Sequence, residues 1–350
     1  MRSTRLVSAF ADIGLADRPQ VGGKGGSLGE LRRAGVAVPP GFVVRTEAFE
    51  FFLEALERES PVRTRVAALH ADDLENITAC SRALRGRIEQ TALPASVETE
   101  VLAAHAALCA GSPIAVAVRS SATTEDATDA SFAGLQDTYL WVKESVEVLR
   151  KLRSCWASLY SVESISYRRK HGFPEESVAM AVVIQAMVDA RTAGVMFTRS
   201  PTTGDPSVIT IEGAWGLGSA VVGGEVTPDR WVIGKITGEI PVREVSAKMI
   251  QHVPVSSGGV AAVAVKQELQ RVACLSDEEL QALRTIARRV ERHYGRAQDI
   301  EWAVDRHSSE ILLLQSRPET VWSARDATPT ARASENPLSH VMSIFGGRKT

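Results

Sequence analysis

The chain has 350 residues, 44% of them hydrophobic, enough to bury a large core and to divide into two or three lobes. Forty basic residues against forty-two acidic ones leave a formal charge of -2, so composition offers no electrostatic footprint for a nucleic-acid backbone or an anionic membrane. No stretch approaches the ~20 apolar residues of a membrane span, and no apolar signal core opens the chain. Cys80, Cys109, Cys155 and Cys274 are widely separated and form no CxxC pair, so the expectation is a reduced, cytoplasmic chain with buried free thiols.

In chain order, VGGKGGSLGEL at residues 21–31 predicts a glycine-rich loop feeding a short helix over 28–34, with Ser27 and Glu30 as its capping box and Gly35 as its stop. Pro39, Pro40 and Gly41 precede a short strand over 42–44, and Thr46 is placed to cap the helix TEAFEFFLEALERE. Residues 61–110 carry Leu, Val and Ala at helical spacing and few chemical groups, as scaffold does. PIAVAVR then reads as a buried strand ending in Arg119, followed by SSATTEDATDASFAGLQDT, a polar loop far longer than a turn needs. Helices over 146–170 lead to the strands SVAMAVVIQAMV, GVMFT and SVITIEGAWG. Ser276 and Glu279 start a helix whose Leu280, Leu283, Ile286, Ala287 and Val290 form one apolar stripe, stopped by Gly295, and a hairpin follows. After Trp322 the composition turns to Ala, Thr, Ser, Pro and Arg, which predicts a mobile tail. No internal repeat is visible.

Around Lys24 neither GxxxxGK[ST] nor GxGxxG fits. What remains is an anion cradle made of backbone N–H groups, a helix start and a mobile lysine charge, or simply a glycine turn with a solvated lysine. Arg119, at a strand end and flanked by Gly134 and Thr138, suits bidentate contact with phosphate; its plainer role is to pin the loop through Glu125 or Asp126. In the hairpin over 299–317, a five-residue loop over 306–310 pairs Asp305 with Ile311 and places Glu301 opposite Gln315, with Arg317 two residues on along the same face. A carboxylate and an amide oxygen meeting across strands are hard ligands suited to Mg²⁺ bound with phosphates, and the arginine offsets phosphate charge; a solvated polar face is the alternative. Ile300, Trp302, Val304, Leu312 and Leu314 are assigned to the core face. Glu212 ends a strand before a second glycine-rich turn and either lines the same cleft or merely precedes backbone bends.

Together these stretches resemble the N-terminal, ATP-binding domain shared by phosphoenolpyruvate synthase, pyruvate phosphate dikinase and rifamycin phosphotransferase, a variety of the ATP-grasp fold. The resemblance is carried by VGGKGGSLGEL, VPPGFVV, VRSSATTEDATDASFAGLQDTYL, VMFTRSP, EGAWGLGSAVVGGEVTPD, DIEWAVD and LLLQSRPET, nearly everything over 21–320. It implies an α+β, two-lobed ATP-grasp fold with the nucleotide cleft between lobes: an N-terminal lobe with helical scaffold over 1–188, a metal-ligand lobe over 189–322 and a tail over 323–350. Lys24, Arg119, Gly134 and Thr138 match the positions that hold the triphosphate. Gln185, with Ala186 to Val188, matches the adenine-facing hinge, and Glu301, Gln315 and Arg317 match the metal and phosphate ligands.

The resemblance further implies an enzyme, a dikinase-type, AMP-forming phosphotransferase using ATP and Mg²⁺, that passes the β-phosphoryl group to a histidine and releases the γ-phosphate as Pi. None of His70, His105, His171, His252, His293, His307 or His340 stands in the carrier histidine's Gly-Gly, Thr/Ser-Ser-His setting. The expectation is therefore a partner protein or domain bearing that histidine and the acceptor site, as in the split phenylphosphate synthase, or else that the chain is a piece of a longer phosphoenolpyruvate synthase or rifamycin phosphotransferase. The tail ENPLSHVMSIFGGRKT favours the split subunit by composition. Pyruvate, phenol and a drug hydroxyl stand as possible acceptors, and a nucleotide-binding module that transfers nothing is the competing class.

Overall fold

The computed structural model describes residues 5–122 and 137–326 of the chain. Helix and sheet are segregated rather than alternating, as in an α+β chain. Strands β1 (Val7–Ala9), β2 (Gly41–Val44), β3 (Val116–Ala122), β4 (Thr138–Val142) and β5 (Met180–Ala186) form an antiparallel sheet in the order β1-β2-β5-β3-β4. Period-two alternation gives this sheet two apolar faces. On one, Phe42, Val44, Val118, Val182 and Ile184 pack beneath α2 (Thr46–Glu57), α4 (Leu74–Gln90), α5 (Ala95–Cys109), α6 (Ser145–Ser158) and α7 (Val162–His171), with the short α3 (Arg63–Ala67) alongside. Trp156 of α6 anchors that layer between the rings of Phe49 and Phe52.

The other face turns Val43, Ala181 and Val183 toward α1 (Arg18–Arg33) and toward a second, six-stranded sheet. That sheet contains β6 (Ala190–Phe197), β7 (Val208–Trp215), β8 (Asp229–Gly234), β9 (Val242–Glu244), β12 (Gln298–Asp305) and β13 (Ile311–Pro318), in the order β13-β12-β6-β7-β8-β9. The two-stranded β10 (Ile250–Pro254) and β11 (Val260–Ala264) form a separate small ribbon tied to the end of β7, where the Leu217 N–H donates to the His252 carbonyl, and α8 (Ser219–Val222) is a single turn after β7. Helix α9 (Asp277–Tyr294) begins at the expected Ser276–Glu279 capping box, ends at Gly295 in the left-handed region, and buries Leu280, Leu283, Ala287 and Val290 against Ile209, Ile211, Trp231 and Trp302. The first sheet ends at Ala186 and the second begins at Ala190, and the core that joins them is shared by Val21, Leu28 and Leu31 of α1.

Several local expectations are corrected. The glycine stretch is no loop: α1 runs through it, with one break at Gly22 (φ 69°, ψ 176°), so the long helical run starts there and not at Ser27. Ser27 caps nothing; its Oγ donates to the Ser316 carbonyl of β13. Thr46 is the first residue of α2 and donates to the Pro19 carbonyl, leaving that helix without a side-chain cap. In the hairpin, Val304 rather than Asp305 faces Ile311, and an irregularity between Glu301 and Trp302 restores Glu301 opposite Gln315. Leu314 is the extra residue, so the core face of β13 carries Leu313, while Leu312 and Leu314 pack on the opposite side. Residues 323–326, expected in the tail, belong to α10 (Val321–Asp326), whose start is held by Glu319 accepting from the Trp322 and Ser323 N–H groups. The rest of the expected tail lies outside the described residues, as do Gly134, Glu125 and Asp126. All four cysteines are free thiols, and among the described residues no helix is long and apolar enough to cross a membrane.

Candidate functional site

Arg119 lies in the middle of β3, opposite Val183 of β5 and Thr138 of β4, so its side chain leaves the first sheet on the face turned to α1 and the second sheet. There its guanidinium crosses between sheets. Nη2 donates to Glu301 Oε2 at 3.2 Å and to Gln315 Oε1 at 2.6 Å; Nη1 donates to the Leu314 carbonyl at 3.1 Å and, more loosely, to Gln185 Oε1 at 3.4 Å. The Leu314 carbonyl is available because a bulged residue leaves the ladder. Arg119 is largely buried, its side chain 12% exposed, while Glu301 keeps 30% of its surface, so the cluster lies at the margin of the core and is open to solvent on the glutamate side.

Gln185 belongs to the same face of the first sheet, opposite Ala117 and Gly41, and is 2% exposed. Among the described residues its Nε2 is buried without a hydrogen-bond partner, an unusual cost for an amide. Ala186 carries the strand out of the sheet, its N–H donating to the Pro40 carbonyl. Val188 then enters an apolar cluster with Ala190, Ala193, Leu217 and Ala303, edged by Trp141, Met187, Leu312 and Leu314. The shifted register of β13 thus puts on the Val188 side two leucines that alternation alone assigns to the other face.

Lys24 lies in the first turn after the Gly22 break, on a helix packed against β3, β5 and β13. Ser121, two residues beyond Arg119, fastens that turn: its Oγ accepts from Gly25 N–H at 3.2 Å and donates to the Val21 carbonyl at 2.9 Å. Gly22 is required here twice over, because its φ is left-handed and a Cβ would stand 2.1 Å from the Ser121 carbonyl oxygen. The segment that carries Lys24 is thus tied to β3, which carries Arg119, and through Ser27 to β13.

Arg317 shares the face of Gln315 but is not part of the Arg119 cluster. It is more than half exposed, and its Nε donates to Asp299 Oδ2 at 3.3 Å, directly across the ladder. Asp299 was not singled out by the sequence reading, although it stands two residues from Glu301 and opposite Arg317, a spacing that alternation makes visible. Burial pushes its carboxyl above the ordinary aspartate range, with the Arg317 guanidinium pulling the other way. Glu212 of β7 faces Val195 of β6, which faces Glu301, so the two glutamates lie in one row on one face, two strands or roughly 10 Å apart. Gly216 beyond it does serve a bend, with φ 77° and a Cβ position 2.4 Å from the His252 carbonyl.

A metal ion fits the donor set. Glu301 and Gln315 present hard oxygens that already converge on one positively charged nitrogen, the chemistry that oxygen-seeking divalent cations favour. Among the described residues no group of three or more His, Cys, Asp or Glu could hold a metal ion.

The sequence model described as "Pyruvate phosphate dikinase, AMP/ATP-binding domain" matches residues 18–337. A probable phosphoenolpyruvate synthase of Methanothermobacter thermautotrophicus is 40% identical over 322 residues, covering 91% of this chain and 46% of that protein. The phosphoenolpyruvate synthase of Pyrococcus furiosus is 34% identical over 357 residues, covering 90% and 44%. A rifampicin phosphotransferase of a Streptomyces species is 40% identical over 322 residues, covering 91% and 36%. The chain spans less than half the length of each of these curated relatives, whose remaining length holds further segments. The chain belongs to the pyruvate phosphate dikinase AMP/ATP-binding domain family.

Proposed function

We propose that this chain is the ATP-binding station of an AMP-forming phosphotransferase, folded as a two-lobed ATP-grasp unit with the nucleotide between the sheets, lobes over 1–188 and 189–322. The observation that carries the reading is the convergence of Arg119 from the first sheet on Glu301 and Gln315 from the second. In this reading Lys24, Arg119, Thr138 and Arg317, with Gly134, offset charge on the triphosphate oxygens, and Asp299 holds Arg317 in place. The apolar cluster around Val188 and Met187 seats the adenine ring, with Gln185 and Ala186 at its edge. Glu301 and Gln315 would hold Mg²⁺, which when bound would offset the negative charge of the phosphates.

No side chain here acts as nucleophile. The β-phosphoryl group passes to a histidine on a partner protein or on a domain outside the described residues as the α–β bond breaks to leave AMP, and one water molecule is consumed in breaking the β–γ bond, which releases the γ-phosphate as Pi; catalysis rests on positioning and electrostatic stabilisation. The relatives' names point to pyruvate or a drug hydroxyl as the final acceptor, and an aromatic hydroxyl such as phenol is of the same chemical class as the latter. The test is to incubate the chain with Mg-ATP and a histidine-bearing domain and separate the nucleotides. AMP, Pi and acid-labile phosphohistidine in equal amounts support the reading; ADP in place of AMP rules out β-transfer, and nucleotide binding with no turnover leaves a silent binding module.

A further inference from the structure

Both bonds that tie Arg119 to the charged and amide oxygens of the hairpin leave from a single atom. Nη2 is 3.2 Å from Glu301 Oε2 and 2.6 Å from Gln315 Oε1, the two oxygens that the proposed reading gives to the metal. A divalent ion bound to both oxygens sits about 2.0–2.6 Å from each. Such an ion and the guanidinium nitrogen compete for one small region, and two cations cannot share it at close range. The rest of the arginine's hold is on neutral acceptors, the Leu314 carbonyl and Gln185 Oε1, and among the described residues its Nε has no partner.

We infer that Arg119 is the built-in occupant of the divalent-cation locus: its guanidinium holds Glu301 and Gln315 together until metal and phosphate arrive, and is then exchanged from these oxygens onto phosphate. This rests on the proposed metal-nucleotide reading and adds an order to it. Bare metal meets a site already filled by a positive charge and binds weakly. Metal arriving with phosphates binds well, because the displaced guanidinium gains an anion on the Thr138 side of β3, where its own strand neighbour lies. The exchange conserves pairing: Glu301 and Gln315 trade a nitrogen donor for the metal, and Arg119 trades a carboxylate for phosphate oxygens. By linkage, the nucleotide raises the metal's affinity by the factor by which metal raises the nucleotide's, and Arg119 carries that coupling.

The experiment measures Mn²⁺ alone, by the EPR signal of the free ion, on the nucleotide-free 350-residue chain and on R119A, R119M and E301Q. R119M keeps the buried stem filled where R119A does not, and thermal melting identifies which variants are folded. Removing the competing charge is expected to tighten Mn²⁺ binding about tenfold or more in the folded Arg119 variants, while E301Q loses it. In addition, ATP should enhance Mn²⁺ binding less in those variants than in the parent chain. Folded R119A or R119M that binds Mn²⁺ no tighter than the parent, with E301Q still defective, overturns the exchange and leaves the metal assignment standing. Undiminished Mn²⁺ binding by E301Q removes the metal assignment itself, and the exchange with it.

Discussion

Arg119 and Glu301 lie 182 positions apart in the chain and meet at 3.2 Å across the gap between two sheets. Neither residue has a local reason to find the other. β3 aims the arginine off the first sheet, the β12–β13 ladder aims the glutamate off the second, and α1, wedged against both sheets, sets the distance.

Replacing Glu301 by Ala is expected to abolish metal-dependent release of AMP while leaving the fold intact. The residue is partly exposed and Arg119 retains Gln315 and the Leu314 carbonyl, so the loss of stability should stay within about 1 kcal/mol. Nucleotide chromatography and a thermal melt on the same preparation check both halves; unchanged turnover removes Glu301 from the site.

Lys24→Met should weaken ATP about tenfold to a hundredfold, the cost of one charge-assisted contact with phosphate. Calorimetric titration of ATP reads this directly. Helix α1 is held by Ser121 against Gly25 and Val21 and by Ser27 against Ser316, so a melt of the variant should superimpose on that of the parent. Equal ATP affinity would remove the lysine from the nucleotide site.

Gly22→Ala is expected to destabilise the chain by about 2–4 kcal/mol, because the left-handed backbone resists a side chain and the new Cβ meets the Ser121 carbonyl. Urea denaturation reports the loss. Since the same junction carries Lys24, ATP affinity should fall with it, whereas Gly172→Ala, at a helix end where a Cβ meets nothing within 4 Å, bears only the backbone strain and leaves ATP affinity alone.

Glu30 couples the start of the chain to α9. Burial pushes its carboxyl up, but hydrogen bonds from His293 and from the Leu15 N–H outweigh this and hold it below its ordinary 4.5. A depressed folded value means that the unfolded chain binds the proton first, so the stabilisation is complete above about pH 4.5 and is lost as pH falls through the folded value. Glu30→Gln should therefore cost about 1–2 kcal/mol at pH 7, and the difference from the parent should shrink below pH 4.5. Urea midpoints measured from pH 7 to pH 3 test it, and a gap that stays constant with pH would detach the effect from this carboxylate.

Much of the architecture is written in local pattern. The Ser276–Glu279 box and its apolar stripe specify α9 because capping and a 3.6-residue period are properties of neighbouring residues. Strands β3, β5, β6 and β7 are likewise legible as apolar runs bounded by turns. The glycine stretch misleads for the same reason: glycine disfavours helix locally, yet α1 forms because it is packed on the core side. There Gly22 and Gly25 lie close against β3 and β2, and Gly26 and Gly29 close against the backbone at Gly14 and Ile13, approaches that a side chain would block. The β13 bulge escapes detection because alternation presumes an unbroken ladder. An extra residue exchanges the faces of Leu313 and Leu314 at no visible cost in the sequence.

The residue types of the candidate site, a lysine in glycines, an arginine on a buried strand, a glutamate facing a glutamine, follow from the sequence alone, since each is placed by its own short segment. Tertiary structure alone decided that Arg119 spans the sheets to Glu301 and Gln315, that Arg317 turns instead to Asp299, and that Gln185 shares the arginine's face with one donor unpaired. Those relationships depend on how two sheets and the helix between them are spaced, and that spacing is set by the packing of a shared core drawn from the whole chain.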